Sequence, residues 1–412
     1  MPQKGEEKVV SKTRRPYSTV DAVNRVLPAN SCICHKLRGC LLAAAVAGGA
    51  LTCEMGGGGN DRQVFNRLDQ APGHFRLTLD WPGKGSDGEV FPFGEVRGLL
   101  VDGIGRAFVL DGIEEAIHVF DPHGVHIRTF GGSGSGPSEL HQPIGMTFDP
   151  AGRLWVADPG NGRYTIFDTV GHAVEHHQRT LGGGLPWPGR IDSTGRLFDV
   201  AIIPMGEPDR FSHWIYRFPA GQVTAPTDSI LLLDEGGEMF EVPRTGWKGW
   251  IPFTSRLVYD LDPDGLVWFA DTGDYQLTKM NLKGDTVLQV SLDRPAVPVT
   301  PEERRNEIQA LSSLGVVLPP GRLPTVKPLF ESLHLTDEGQ VWVYPYVLDR
   351  PLGSIIDMFS GDGVYLGSVT SETPISFMAP PVVRGDFVYA ITVDHLHVQS
   401  LVRFRLSETP MP

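Results

Sequence analysis

Six copies of a unit of about 45 residues, each reading as four short β-strands, predict an all-β protein: a six-bladed β-propeller with four-stranded blades. Three observations carry this expectation. A tight-turn glycine recurs at Gly105, Gly152, Gly195, Gly265, Gly339 and Gly385, at spacings of 47, 43, 70, 74 and 46 residues. Apolar runs rich in Val, Ile, Phe and Trp lie either side of these glycines and are bounded by Gly, Pro, Asn or Asp. The sixth copy stops after its third strand, while a spare alternating segment, Phe75–Trp81, precedes the first copy. That segment is expected to supply the missing strand and close the last blade, which removes the exposed sheet edges.

Taken in chain order, residues 1–53 read as a leader. Residues 1–39 carry a charge of +5, and the apolar run Cys40–Leu51 that follows is too short to span a bilayer comfortably. The chain as a whole carries −13, which leaves −18 on the remainder and argues against a nucleic-acid partner. All four cysteines, Cys32, Cys34, Cys40 and Cys53, fall in the leader, so the body has neither a disulfide nor a thiol metal site. Cys53, at the end of the apolar run, resembles the acylated cysteine of bacterial lipoproteins. The expectation is an exported protein, periplasmic or on the cell surface, tethered to the membrane by lipid. Residues 54–73, rich in glycine at their start, are expected to be a flexible tether, and residues 74–408 the propeller.

The clearest repeat is Gln142–Asp158 with its continuation to Gly171: strand, turn at Pro150–Gly152, strand, turn at Asp158–Gly162, strand. A fourth strand follows in five copies, for example Val125–Phe130 and Thr286–Leu292. The Phe or Met closing each third strand (Phe120, Phe167, Phe218, Met280, Phe359, Phe404) is expected in the core. Two spacings are long because residues 234–255 and 293–328 are insertions between blades. The second contains a short helix: Thr300 as N-cap, Pro301 at the first position, Glu302 and Glu303 in the first turn, and Ile308, Leu311 and Leu314 as an apolar stripe.

Residues 94–171, together with the linker Phe130–Pro143, closely resemble NHL-repeat propellers. The resemblance covers the first two copies best, and the whole chain is similar to exported or lipid-anchored six-bladed propellers of bacteria. It implies a binding protein as readily as an enzyme.

Candidate chemistry is sparse. The aspartate six residues after the turn glycine (Asp111, Asp158, Asp271) is read as a turn carboxylate accepting backbone N–H groups rather than as a metal ligand. Gly131–Gly136 is glycine-rich but opens no helix and lacks a phosphate-binding lysine. His395 and His397 share one face of an extended segment and are weak metal candidates, off the axis; no cofactor is expected, and a divalent metal only if histidines converge. The insertions and the loops between second and third strands lie on one face of a propeller. That face should gather Arg244, Trp247, Lys248, Trp250, His213 and Tyr346, the aromatic and basic composition of a ligand-binding surface. The expected function is capture of a protein, peptide or carbohydrate at the cell envelope. The alternative is an enzyme, a metal-dependent lyase or a lactonase-like hydrolase, working in the axial funnel.

Overall fold

The computed structural model describes residues 62–409, apart from 72, 182–186, 188, 205–210, 235–237, 247, 263, 320, 348–353 and 377. The chain divides into two compact units, Met1–Gly57 and Gly58–Pro412, and everything below belongs to the second. The leader and Cys53 lie outside the described residues.

The described chain begins with β1 (Arg62–Arg67) and β2 (Gly73–Pro82). An antiparallel meander follows, of β3 (Val96–Val101), β4 (Ala107–Asp111), β5 (Ala116–Phe120) and β6 (His126–Gly131). A second contains β7 (Gly145–Phe148), β8 (Leu154–Asp158), β9 (Arg163–Phe167) and β10 (Ala173–Gln178), and a third β11 (Arg190–Ile191), β12 (Leu197–Pro204), β13 (Phe211–Phe218) and β14 (Asp228–Asp234). The first insertion is a hairpin of β15 (Met239–Glu241) and β16 (Lys248–Trp250). The fourth meander is β17 (Leu257–Leu261), β18 (Val267–Asp271), β19 (Gln276–Met280) and β20 (Thr286–Asp293), with β1 added parallel to its outer edge. Helix α1 (Pro301–Ser313) lies in the second insertion. The last strands are β21 (Phe330–Leu335), β22 (Val341–Pro345), β23 (Ser354–Phe359), β24 (Tyr365–Ser371), β25 (Val382–Arg384), β26 (Phe387–Val393) and β27 (Gln399–Thr409).

The fold is therefore all-β and propeller-like, with a single α-helix among the described residues. β3, β7, β11, β17, β21 and β25 all contribute to one central cavity, so the sheets stand around an axis. The expected six separate sheets are not what the topology returns. Four four- or five-stranded sheets are separate, but the strands of the last two repeats form one eight-stranded sheet, β21-β22-β23-β24-β2-β27-β26-β25. The cause is β2. Its length of β2 pairs antiparallel with β27, from His74 opposite Thr409 to Pro82 opposite Val402, as expected of Phe75–Trp81. Its first half also pairs parallel with β24, from Gly73 opposite Gly367 to Leu77 opposite Ser371. Within the span expected to be a tether, residues 62–67 are a strand: alternating Val64 and Phe65 face opposite ways, and Val64 packs against the fourth sheet.

Local chemistry explains the repeated turns. All six turn glycines have positive φ, between 56° and 85°, a conformation a β-carbon disfavours. In the first three repeats an aspartate opens the turn: Asp102, Asp149 and Asp192 each accept the N–H groups two and four residues on, plus an arginine Nε at 2.7 Å. The six residues closing the third strands are all buried. Sheets meet across buried ion networks as well as apolar faces. Asp199 accepts from Arg179 (2.8 and 3.1 Å), Trp187 Nε1 (2.6 Å) and the Tyr164 hydroxyl. Asp357 accepts from Arg294 Nη2 at 2.5 Å and the Tyr275 hydroxyl at 2.7 Å. Fully paired, such charges hold one register; losing one partner costs about 3–5 kcal/mol.

Helix α1 starts as its sequence requires, with a reciprocal box between Thr300 and Glu303 and Pro301 in the first turn. The expected stripe is corrected: Leu311 is buried, but Ile308 and Leu314 are about half exposed (47% and 49%). The helix is held instead by polar ties. Arg304 donates to the Leu323 and Pro324 carbonyls at 3.1 and 2.7 Å, and Lys327 to Glu303 at 2.5 Å. Leu311 joins Phe240, Val242, Ile251, Val316 and Leu323 in a small core that packs the two insertions together.

Gly367 has a φ of 129°, and a β-carbon there would stand 1.8 Å from the Gly73 carbonyl oxygen across the β2–β24 pairing. Gly339 has a φ of 81° and open space around it. Gly339→Ala should therefore cost only the backbone strain of about 1–2 kcal/mol, whereas Gly367→Ala should prise β2 from β24 and lower the thermal midpoint much further. Thermal unfolding of the two variants side by side checks this, and equal losses would contradict it.

Candidate functional site

Two concavities stand out, one on the axis and one under the insertions. The axial cavity, about 350 Å³, is walled by Leu99, Met146, Trp187, Tyr259, Pro380 and Pro381, among others. Arg190, Asp337 and Arg384 form its polar cluster. Arg190 donates to the Leu261 carbonyl at 2.5 Å and to Asp337 at 2.6 Å; Arg384 donates to Asp337 as well and to the Val101 carbonyl at 2.9 Å. One carboxylate thus bridges two guanidinium groups across the axis, a geometry arginine's fixed fork favours. Asp260 lies deep in the wall, where burial pushes its carboxyl up. The Arg190 charge and the N–H groups of Leu335 (2.8 Å) and Leu261 (2.7 Å) act in the opposite sense. Ionisable groups from different repeats do converge on the axis, but each carboxylate is already engaged.

The second concavity, about 210 Å³, is lined by Trp250, Phe253, Arg256, Glu307, Glu331 and Tyr346 with neighbouring backbone. Its walls come from the entries to β17 and β21, the ends of β18 and β22, and both insertions, so it opens on the face where the insertions collect. Lys327 holds one side: its Nζ stands 5.9 Å from the Phe253 ring centroid and 5.5 Å from that of Tyr346. Phe211 packs edge-on against Trp250 at 5.9 Å. Burial raises the Glu307 carboxyl, and the nearby Glu303 charge raises it further. Burial alone would raise Glu303 too, but the Lys327 ammonium and the Thr300 donors outweigh it and the net shift is down.

The structure separates the residues expected on this face. Trp250 and Tyr346 come together in the cleft. Lys248 and Arg244 are exposed on the hairpin of the first insertion, Lys248 near Glu241 at 3.9 Å, and neither lines the cleft. Trp247 lies outside the described residues. His213 is buried on β13, with Nδ1 3.2 Å from the Tyr259 hydroxyl. It stands behind Tyr259, a wall residue of the axial cavity, and not on the surface, because it shares with Ile215 the β13 face that packs on the fourth sheet. His395 and His397 are exposed in a turn whose Asp394 accepts two N–H groups, and among the described residues they gather no third ligand. Asp111, Asp158 and Asp271 do accept backbone N–H groups as expected: Asp111 from Gly94 (2.6 Å) and Ile113 (2.8 Å), Asp158 from His141 (2.7 Å), Asp271 from Gly273 (2.7 Å). Phe253, Arg256 and Glu307 were not legible as one site, since they come from separate segments. The signal available was the pair of insertions, the first with Phe253 on it and Arg256 beside it, the second with Glu307.

Over 114 residues, 27% of this chain and 32% of the relative, the sequence is 30% identical to NHL repeat-containing protein 3 of Mus musculus. Over 95 residues, 22% of this chain and 27% of the relative, it is 32% identical to the same protein of Homo sapiens. The chain thus spans about a third or less of the length of the curated relatives it matches. No protein-family model matches it. Among solved structures it is similar to a member of the DUF4221 family from Bacteroides vulgatus (11% identity, 81% of this chain and 99% of that one, TM-score 0.43). It is also similar to a gluconolactonase from Xanthomonas campestris (14%, 76% and 87%, 0.39) and to virginiamycin B lyase from Staphylococcus aureus (11%, 80% and 94%, 0.39). Superpositions of this quality carry no function across.

Glu307 yields a test of the cleft's electrostatics. With its carboxyl raised on folding, the folded chain binds that proton more tightly than the unfolded one, and stability falls as pH rises through the window above about 4.3. Glu307→Gln should match the parent below that window and unfold at a higher temperature near neutral pH. Melting curves across pH check it; a variant less stable than the parent at neutral pH would contradict it.

Proposed function

We propose that this chain, whose repeats are of the NHL type, is a ligand-binding propeller that captures a protein, peptide or carbohydrate through the cleft beneath its insertions. One observation carries the reading. Trp250, Phe253 and Tyr346 present aromatic rings in a single concavity with the Arg256 and Glu307 side chains. Rings offer large rigid contact area at small entropic cost, and flanking charges fix orientation, the combination that concentrates binding energy in a few anchors. At about 210 Å³ the cleft suits one side chain or one sugar ring of a larger ligand rather than a whole metabolite.

On the same reading the ring counts six blades. Division of the eight-stranded sheet into β21–β24 and β25–β27 completed by β2 supports this, as do six turn glycines with positive φ. Arg244, Trp247 and Lys248 extend the binding surface along the first insertion. The basic leader and the apolar run before Cys53 support export, with acylation of Cys53 as the membrane tether.

Catalysis in the axial cavity is the alternative, as a metal-dependent lyase or a lactonase-like hydrolase. What favours it is the convergence of Arg190, Asp260, Asp337 and Arg384 on one axis. What weighs against it is that Asp337 is held by two guanidinium groups and Asp260 by two backbone N–H groups, so neither is poised as a base or ligand.

Two experiments test the reading. On arrays of peptides and oligosaccharides, Trp250→Ala and Tyr346→Ala should each weaken capture by about 30-fold, the size of a hot-spot loss of roughly 2 kcal/mol, with melting temperatures near that of the parent. Capture unchanged in both variants would remove the cleft from the function. Separately, Cys53→Ser should move the protein from the membrane to the soluble fraction, and unchanged fractionation would remove the lipid tether.

A further inference from the structure

We infer that Asp111, Glu114 and His118 form a binding site for a divalent metal ion of the zinc class, at the turn between β4 and β5. The inference is independent of the cleft. One carboxylate oxygen from each acid and one imidazole nitrogen lie within 4.8 Å of one another, the only such trio among the described residues. One zinc ion draws its ligand atoms to about 3–4 Å of each other, with bonds of about 2.0–2.2 Å. The exposed Glu114 has the freedom to close the remaining gap.

The comparison between repeats makes the case. In the second repeat the carboxylate at this place, Asp158, is met by donors three, five and seven residues on. Asn161 Nδ2 lies 2.8 Å from Asp158 Oδ2, Arg163 Nε 3.3 Å and Thr165 Oγ1 3.4 Å. In the first repeat the same steps from Asp111 reach Glu114, Ala116 and His118. The amide, guanidinium and hydroxyl are gone, and a carboxylate and an imidazole stand at two of the three places. Oδ2 of Asp111 accepts one N–H, from Gly94, and keeps a lone pair.

His118 points to a ligand on its own account. It is 2% exposed, and its Nδ1 stands 3.0 Å from Thr129 Oγ1. With Nδ1–H donating to that hydroxyl, Nε2 is left a lone pair. Nε2 is buried without a hydrogen-bond partner, and the group before it is the Glu114 carboxylate, Oε2 at 3.2 Å. In that tautomer two acceptors face each other, and a cation between them serves both. A proton on both nitrogens would leave a charged ring packed against Phe91 and Phe93, whose centroids are 5.0 and 5.6 Å away. A metal ion satisfies all three side chains at once, and Thr129 then fixes the imidazole tautomer as ligand-supporting partners do. An imidazole with two carboxylates favours zinc and its transition-metal neighbours over magnesium or calcium, which prefer all-oxygen sites.

The full chain, stripped with a chelator and dialysed, is titrated with zinc chloride by calorimetry and followed by thermal unfolding. One saturable site and a raised melting temperature are expected, with no shift from magnesium at the same concentration. Glu114→Gln, at an exposed position that threatens no packing, should weaken zinc at least 10-fold, and His118→Gln further. If His118→Gln does not fold, Glu114→Gln decides alone. No saturable binding, binding equal in the parent and Glu114→Gln, or an equal response to magnesium would each overturn the assignment.

Discussion

A ring of sheets has two loose ends, and everything else here depends on their being joined. β2, near the start of the described chain, meets β27 at its end over eight residue pairs, and its first half lies along β24. Without that strand β27 would present an unpaired edge and the ring would be free to open. Both concavities need it shut: the axial cavity has a wall from every repeat, and the cleft is shaped by the fixed spacing of the fourth and fifth. Close backbone approach at Gly367, opposite Gly73, is what lets one strand serve two neighbours.

Within the closed ring, polar bonds do the cross-bracing that apolar faces cannot. Arg190 and Arg384 share Asp337 and take carbonyls from Leu261 and Val101, so strands from five of the repeats are tied across the axis by three side chains. The buried Asp199 and Asp357 networks act between adjacent sheets in the same manner, each with an arginine and a tyrosine. Such pairings contribute modest net stability, because desolvation offsets much of the attraction, but they tolerate only one arrangement. A propeller whose sheets touch mainly through interchangeable Val, Ile and Phe gains its register from them.

The candidate cleft is built largely from additions to this scaffold. The repeats bury their best carboxylates in turns and networks, while the insertions bring Trp250, Phe253 and Glu307 to a cleft that the fourth and fifth repeats complete. The hairpin and helix hold each other through a core of six buried residues and through Arg322, bonded to Glu238 at 2.9 Å. The cleft wall is therefore a small built unit with its own packing, resting on the ring.

How much was legible in the sequence follows from the range of each interaction. Turn glycines, strand patterning, the helix cap at Thr300 and the closing role of Phe75–Trp81 are fixed by period, by φ or by near neighbours, and the sequence by itself determined them. So did Trp250 and Tyr346 as surface aromatics on one face. The helix stripe misled, because Ile308 and Leu314 obey the period but the helix lies against too small a partner to cover them. His213 misled because alternation along β13, and not loop position, decides its direction. The fusion of the last two sheets, the grouping of Arg190 with Asp337 and Arg384, and the meeting of Glu307 with Trp250 were decided only by the tertiary structure. The side-chain partners stand 47 to 147 residues apart and Gly73 stands 294 from Gly367, and no local rule binds them; closing the ring does.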